Sequence, residues 1–322
     1  MPRLWALRPK SATASTRADP PWTFAIAQPN VRRRPSNLQH VSPVRLLQAM
    51  TILAIPFPDI DPVAFSIGPV SIKWYGLSYM AGLLLAWQYV RLLLQNNRLW
   101  AANRPPMTVD RADDLLIYAA LAIIIGGRLG QVLLYDPGFY FANPLEIFKV
   151  WKGGMSFHGA LIGSALVLIY FARAFSVSAW SVMDLAAAAS TFGLFLGRIA
   201  NFINSEHWGR TTDAAIGVIF PNGGPLPRHP SQLYEAVLEG LVMFVILRLL
   251  THTFDGLKRP GLVAGTWLVW YAIARSICEV FREPESVHAL NLGPFTAGQF
   301  YSLPMLLLGV YFIWRARSGA TA

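Results

Sequence analysis

Residues 115–134 read LLIYAALAIIIGGRLGQVLL, an apolar run in which Arg128 is the only charged residue. A helix needs about 20 predominantly apolar residues to cross the hydrocarbon core of a bilayer. The run therefore predicts a transmembrane helix. Because an ionisable group at membrane depth is costly unless it faces a partner or a cavity, Arg128 is also predicted to have a special environment.

Similar apolar stretches fill most of the chain from Tyr75 onward. They lie at 75–94, 156–175, 180–203, 231–250, 261–281 and 296–314. Only 14% of the residues are charged, whereas soluble domains average about 25%. We therefore predict an all-α polytopic membrane protein with seven transmembrane helices. The polar segment 204–230, rich in Gly, Pro and Asn, is predicted to be a small periplasmic loop subdomain on the outer face.

The N-terminal residues 1–49 have a different composition. They hold eight Lys and Arg residues against the single Asp19, and they show no sustained helical or strand period. We predict that 1–49 is a basic, disordered extension and that Met50 is a candidate start, with a basic transit-like segment as the alternative. Residues 50–322 are predicted to form one membrane domain.

The distribution of Lys and Arg predicts the orientation, because cytoplasmic loops carry an excess of these residues. With the N-terminus outside, the inner loops and flanks carry Arg91, Arg98, Arg104, Arg111, Arg173, Arg248, Lys258, Arg259, Arg315 and Arg317. The outer ones carry Lys73, Lys149, Lys152, Arg210, Arg228 and Arg282. The sequence thus predicts an outer N-terminus and a cytoplasmic C-terminus.

Other classes of function find little support in the composition. The net charge of +10 follows the membrane topology and the N-terminal tail, so we predict no nucleic-acid partner. Cys278 is the single cysteine, which excludes an internal disulfide framework and a cysteine-based metal site. No compact cluster of metal ligands appears in the sequence, and we predict neither a metal nor a cofactor.

The positive residues at the predicted outer helix ends are the strongest functional signal. Arg198, Arg210, Arg228 and Arg282 fall there, with His158 nearby. Arginine binds phosphate bidentately, so this cluster predicts a site for an anionic lipid headgroup. The alternative is that each arginine snorkels to the interface or pairs with a nearby glutamate. Arg128 is open to both readings: pairing with a carboxylate such as Glu235, or contact with lipid.

Six motifs in order resemble the prolipoprotein diacylglyceryl transferase family. They are FSIGPVSIKWYGL (65–77), GGRLG (126–130), GGMSFHGALIG (153–163), GRIANFINSEHWGR (197–210), PRHPSQLYEA (227–236) and FREP (281–284). The family's usual glycines are replaced by Ala200 and Ser205. Both replacements are small, but neither favours a positive φ.

The resemblance implies an activity at the bacterial inner membrane that needs no cofactor. The diacylglyceryl group of phosphatidylglycerol is transferred to the lipobox cysteine thiol of a prolipoprotein signal peptide, which releases glycerol phosphate. This is the first step of lipoprotein maturation. A lipid or solute transporter is an alternative, although we find no internal repeat. An intramembrane serine protease would have only Ser156 as a candidate nucleophile.

The resemblance also assigns roles to residues. The implied catalytic residues are Tyr75, His158, Arg198, Asn201 and Arg282. The implied substrate-binding residues are Arg128, Arg198, Glu206, Gly209, Arg210 and Arg228. His158 is the candidate general base, because histidine titrates near neutral pH, and a headgroup ligand is its alternative role.

Overall fold

The computed structural model describes residues 54–68, 70–283 and 296–319. The predicted extension 1–49 and the candidate start at Met50 lie outside these residues. Within them, each predicted apolar stretch coincides with a long helix. These are α1 (Trp74–Gln95), α2 (Arg111–Gly130, continued as a π-helix over Gln131–Tyr135), α4 (Phe157–Ala174), α5 (Ala179–Ile203), α6 (Ser231–Glu235, a π-helix over Ala236–Val242, then Met243–His252), α7 (Leu262–Phe281) and α8 (Ala297–Ser318). A short α3 (Pro137–Ala142) follows α2.

Three of these helices are long and apolar enough, by length and composition, to cross a membrane on their own. They are α1, α2 with its π-helical end, and α5. Large apolar side chains are exposed on the helix surfaces, among them Leu133, Leu166 and Leu307. Such surfaces are what a bilayer requires of the helices that face it.

The prediction of an all-α fold needs a small correction. The described residues include four short strands: β1 (Ile55–Pro56), β2 (Val63–Ile67), β3 (Val70–Lys73) and β4 (Val218–Ile219). Strands β2 and β3 form an antiparallel hairpin just before α1, and β1 pairs in parallel with β4. The second pairing fixes the segment before α1 against the 204–230 loop. Its partners lie far apart in sequence and are too short to give an alternating pattern.

Helix α5 is central, because α1, α6 and α7 all pack against it. The core between them is apolar, with Leu93, Leu185, Met243 and Val263 almost fully buried. The carboxylate of Asp184 in α5 joins α5 to α7, since the backbone N–H groups of Gly261 and Ala264 each donate to it over 2.7 Å. These bonds satisfy donors that are otherwise unpaired at the start of a helix.

Helices α2 and α4 pack through glycines. A Cβ placed on Gly130 would lie 2.6 Å from Cα of Gly159, and one on Gly163 would lie 2.7 Å from the carbonyl oxygen of Ala122. Neither contact leaves room for a side chain, so the two backbones touch, as is common for small residues in membrane helices. This contact positions Arg128 and His158 at the neighbouring ends of the two helices.

Candidate active site

A buried cluster of charges lies where α5 and α7 end and α6 begins. Glu235 of α6 is fully buried and forms ion pairs with three arginines. Its Oε2 lies 2.9 Å from Nε of Arg198, and its Oε1 lies 2.9 Å from Nη1 of Arg275 and 3.0 Å from Nη1 of Arg282. One carboxylate therefore orients three guanidinium groups that come from two other helices.

Two more carboxylates complete this arginine–glutamate cluster. Oε2 of Glu239 lies 3.3 Å from Nη2 of Arg198, and Oε1 of Glu279 lies 2.5 Å from Nη2 of Arg275. The three arginines and three glutamates balance in formal charge, which makes their common burial tolerable. Glu239 is one turn after Glu235, inside the π-helical part of α6. π-Helical turns of this kind are frequent at functional sites.

Arg210 and Arg228 border the cluster on a short backbone ladder. The N–H of Arg210 donates to the carbonyl of Phe281 over 2.8 Å, and its Nε donates to that of Arg282 over 2.9 Å. Arg228 donates to the carbonyls of Gly223 and Gly209, pairs with Glu283 at 3.1 Å and lies over the Trp208 ring. The structure thus brings the four predicted arginines together.

Gly209 lies where this ladder is tightest. A Cβ at this position would overlap the carbonyl oxygen of Phe281 and lie 2.8 Å from both Cβ and O of His229. Only glycine fits between the two segments. The contact fixes Arg210 beside Arg282, so the residue has a packing role whatever it does for substrate.

The turn after α5 carries a second group of predicted site residues. Nδ2 of Asn201 donates to Oε1 of Glu206 over 2.8 Å, and Nε2 of Gln232 donates to the carbonyl of Glu206 over 2.6 Å. The turn reverses at Ser205 and His207, whose φ angles are 54° and 57°. Ser205 therefore adopts the positive φ that the sequence comparison put in question.

Tyr75 stands at the start of α1, close to this turn. Its hydroxyl is hydrogen-bonded to that of Tyr79 over 3.1 Å, and the residue is 38% exposed. It lies within electrostatic range of both Glu206 and Arg198. Tyr75 of α1 is therefore a neighbour of Arg198, which lies on α5 three residues before Asn201.

Five buried oxygen atoms around this region have no hydrogen-bond partner among the described residues. They are Oδ1 of Asn204, Oγ of Ser205, Oε1 of Gln232, Oε2 of Glu235 and Oε1 of Glu239. Buried polar atoms are almost always paired, so each such exception calls for a reason. A ligand with several hydroxyl donors would satisfy them.

His158 lies on the α2–α4 side of the molecule. Its Nδ1 is hydrogen-bonded to the hydroxyl of Tyr135 over 2.9 Å, at the π-helical end of α2. Ser156 is buried, and its Oγ accepts from the N–H of Gly159 over 3.0 Å as the N-cap of α4. A hydroxyl used in this way is a poor nucleophile, which weighs against the protease alternative.

Arg128 makes a different set of contacts from the cluster. Its five N–H donors reach main-chain carbonyls of one loop, those of Glu146, Ile147, Lys149, Gly153 and Gly154. The side chain is 5% exposed and lies over the Tyr140 ring. The suggested pairing with Glu235 is wrong, because that carboxylate is occupied by other arginines.

His229 fills a structural position. Its Nδ1 is hydrogen-bonded to the hydroxyl of Tyr234 over 3.1 Å, and its ring packs against Phe281. Burial lowers the pKa of His229, so the ring is neutral near pH 7.

The sequence reasoning missed Arg275, Glu239 and Glu279. Arg275 and Glu279 lie four residues apart inside the apolar run of α7, and Glu239 lies four residues after Glu235. Charges inside a membrane helix are by default candidates for a functional site. These charged residues inside apolar helices were therefore a signal in the sequence, although the prediction used only the charges at the helix ends.

Comparison with known proteins agrees with these observations. The family model for prolipoprotein diacylglyceryl transferase matches residues 62–315. The chain is similar to the phosphatidylglycerol–prolipoprotein diacylglyceryl transferases of Brucella anthropi, with 49% identity, and Brucella canis, with 51% identity. Each match spans 268 residues, which is 83% of this chain and 95% of the relative. The chain belongs to the prolipoprotein diacylglyceryl transferase family.

Proposed function

We propose that the chain transfers the diacylglyceryl group of phosphatidylglycerol to the lipobox cysteine thiol of a prolipoprotein, the first step of lipoprotein maturation. The observation that carries the proposal is the arginine–glutamate cluster. It presents several guanidinium groups in fixed orientations at the ends of apolar helices, where a lipid phosphate can reach them.

In this proposal, residues 50–322 form a catalytic domain with seven transmembrane helices in the bacterial inner membrane. The N-terminus is outside, the C-terminus is cytoplasmic, and 204–230 is the periplasmic loop subdomain. The contacts support one common face: the cluster joins the ends of α5 and α7 to the start of α6, and Tyr75 at the start of α1 lies close to it.

The phosphate of the lipid binds at Arg198, Arg210 and Arg282. Arg198 uses Nε and Nη2 for the glutamates, and its Nη1 makes no hydrogen bond to the described residues. Arg210 is exposed and lies beside Arg282. Its two terminal nitrogens likewise make no hydrogen bond to the described residues. The carboxylates hold the arginines in place before substrate arrives, so little reorganisation is needed in the transition state.

The glycerol headgroup carries two hydroxyl donors, which suit the unpaired acceptors near the cluster. Oε1 of Glu239, Oε1 of Gln232 and Oδ1 of Asn204 are candidates for these contacts. Tyr75 and Asn201 orient the headgroup from the side of α1 and α5. Glu206 acts by holding Asn201, and Gly209 acts by allowing the close backbone contact with Phe281.

The reaction is a substitution at carbon. The thiol loses its proton, the thiolate sulfur bonds to the glycerol carbon of the diacylglyceryl group, and the bond from that carbon to the phosphate oxygen breaks. The electron pair leaves on glycerol phosphate, whose developing charge the arginines stabilise. His158 takes the thiol proton as general base, and Tyr135 fixes its ring.

The test uses the purified protein in micelles containing phosphatidylglycerol and a lipobox peptide. We expect the peptide to gain the mass of a diacylglyceryl group as glycerol phosphate is released. The Arg198→Lys variant should lose at least 100-fold in kcat/KM, because lysine cannot reproduce the fork that bonds two glutamates, and one lost charge-stabilising donor costs about 10²–10³ in rate. Arg173→Gln, an exposed charge outside the cluster, is the matched control and should retain the activity.

A folded parent protein that gives no mass gain would contradict the proposal and favour lipid transport. The role of His158 has a separate test. We expect His158→Gln to lose at least 100-fold in kcat, since glutamine cannot take the thiol proton and a general base contributes about 10²–10⁴ to the rate. A variant that keeps the kcat of the parent would remove His158 from the base role and leave it as a headgroup ligand.

A further inference from the structure

A cavity lined by basic and aromatic side chains lies at the far end of α7 from the cluster. Its volume is about 590 Å³, and it opens between the start of α5, the turn before α7 and the end of α8. Its polar and aromatic lining includes Ser178, Trp180, Lys258, Arg259, Trp314 and Arg315. None of these residues contributes to the transfer reaction proposed above.

The length of α7 places this cavity relative to the membrane. The helix has 20 residues between the cavity and Arg282, which corresponds to a rise of about 30 Å. The hydrocarbon core of a bilayer is also about 30 Å thick. The cavity therefore lies at the headgroup level of the leaflet opposite the cluster, and the two tryptophans in its lining are typical of that level.

The charges of the cavity are positive and only partly paired. Arg315 lies 3.9 Å over the Trp180 ring and donates to the carbonyl of Pro260 over 3.4 Å. Lys258 pairs with Asp255 at 2.8 Å, with the two side chains 38% and 62% exposed. The exposed side chain of Arg259 has no partner among the described residues. No acidic residue lines the described part of the cavity.

We propose that this cavity binds the phosphate of an anionic phospholipid in the leaflet opposite the arginine–glutamate cluster. Arg259 and Lys258 contact the phosphate, and Trp180 and Trp314 flank the glycerol backbone at the interface. Basic pockets between membrane helices bind anionic headgroups in this manner. The proposal requires only that the helices span the membrane, and it is independent of the chemistry at the other end of α7.

The test measures binding by thermal unfolding of the full-length protein in a neutral detergent. It compares titrations with short-chain phosphatidic acid, short-chain phosphatidylcholine and inorganic phosphate. We expect phosphatidic acid to raise the midpoint of unfolding more than the other two do. The Lys258→Gln/Arg259→Gln variant should bind phosphatidic acid roughly 25-fold more weakly, since each basic residue near an anionic surface contributes about a factor of five.

Arg173→Gln is the matched control, because it removes an exposed positive charge at the same end of the bundle but outside the cavity. It should bind phosphatidic acid as the parent does. Equal binding by the parent and the double variant would overturn the proposal. An equal response to inorganic phosphate would overturn the assignment to a lipid. Retained transferase activity in the double variant separates this test from that of the catalytic site.

Discussion

Two buried arginine environments in this protein differ in what receives their hydrogen bonds. At the end of α2, the donors of Arg128 reach main-chain carbonyls of a single loop. At the ends of α5 and α7, Arg198 and Arg282 share one buried carboxylate. Both environments are buried and lie near the ends of apolar helices, but the guanidinium of Arg128 organises a loop, whereas Arg198 keeps one terminal nitrogen without a hydrogen bond to the described residues.

The difference shows that a buried arginine is not by itself evidence of a substrate site. A guanidinium has five donors in a fixed fork. Main-chain carbonyls that occupy all of them leave nothing for a phosphate, as at Arg128. Carboxylates that occupy two of them orient the group and leave a donor, as at Arg198.

Among the proposed variants, removal of the shared Glu235 carboxylate should cause the largest loss of unfolding free energy. In Glu235→Ala three arginines lose a fully buried partner, and breaking a buried ion pair costs about 3–5 kcal/mol. The measurement is denaturant unfolding of the purified protein, with transferase activity followed in parallel. Glu283→Ala is the control, because its pair with Arg228 is 44% exposed on the glutamate side, and such pairs contribute about 0–1 kcal/mol. Similar losses in the two variants would contradict this account.

Arg128→Lys tests the other side of the comparison. Lysine keeps the charge but cannot reach the loop carbonyls in the same fork, and each buried acceptor left unpaired costs about 1–3 kcal/mol. We expect a loss of unfolding free energy in the middle of that range, with the KM for phosphatidylglycerol of the folded fraction unchanged. A rise in KM without a loss of stability would instead make Arg128 a substrate ligand, as the family resemblance implies.

Gly209→Ala should disturb the backbone ladder around Arg210 without replacing any residue of the arginine–glutamate cluster. The new Cβ would press on the Phe281 carbonyl and on His229, and overpacking of this kind costs about 1–3 kcal/mol. Activity should fall as Arg210 moves away from Arg282. Gly197→Ala in α5 is the matched control, because its Cβ would meet open space. If the control loses as much stability as Gly209→Ala, the steric explanation is wrong.

The smallest expected effect is an increase in the unfolding free energy. Ser205 has a φ of 54° and a buried hydroxyl without a partner among the described residues. A left-handed conformation costs a side-chain-bearing residue about 1–2 kcal/mol. Ser205→Gly should therefore raise the unfolding free energy by about 1 kcal/mol, after the entropy of glycine in the unfolded chain is counted. Ser176, with the same φ, offers the control substitution to glycine, away from the site.

The helices were predictable because one physical requirement, apolar length, determines them. The seven predicted stretches match the described helices within a few residues. Ion pairing was not predictable in the same way. Arg198 and Glu239 are 41 residues apart, and Arg282 and Glu235 are 47 residues apart, so their contact depends on how three helices pack. The arginines of the motifs were predicted as site residues because they lie at predicted helix ends. Arg275 lies inside the apolar sequence of α7 and was not predicted.

The bonds from Gly261 and Ala264 to Asp184 have a consequence for the far end of the bundle. Asp184 lies 14 residues before Arg198, which is about 21 Å along α5. A helix pair joined by two short bonds at one end cannot slide along its common axis. The axial register of Arg198 against Arg275 and Arg282 is therefore set in the opposite half of the protein. Changes near Asp184 would be transmitted to the cluster as a shift of register, without any contact to the substrate.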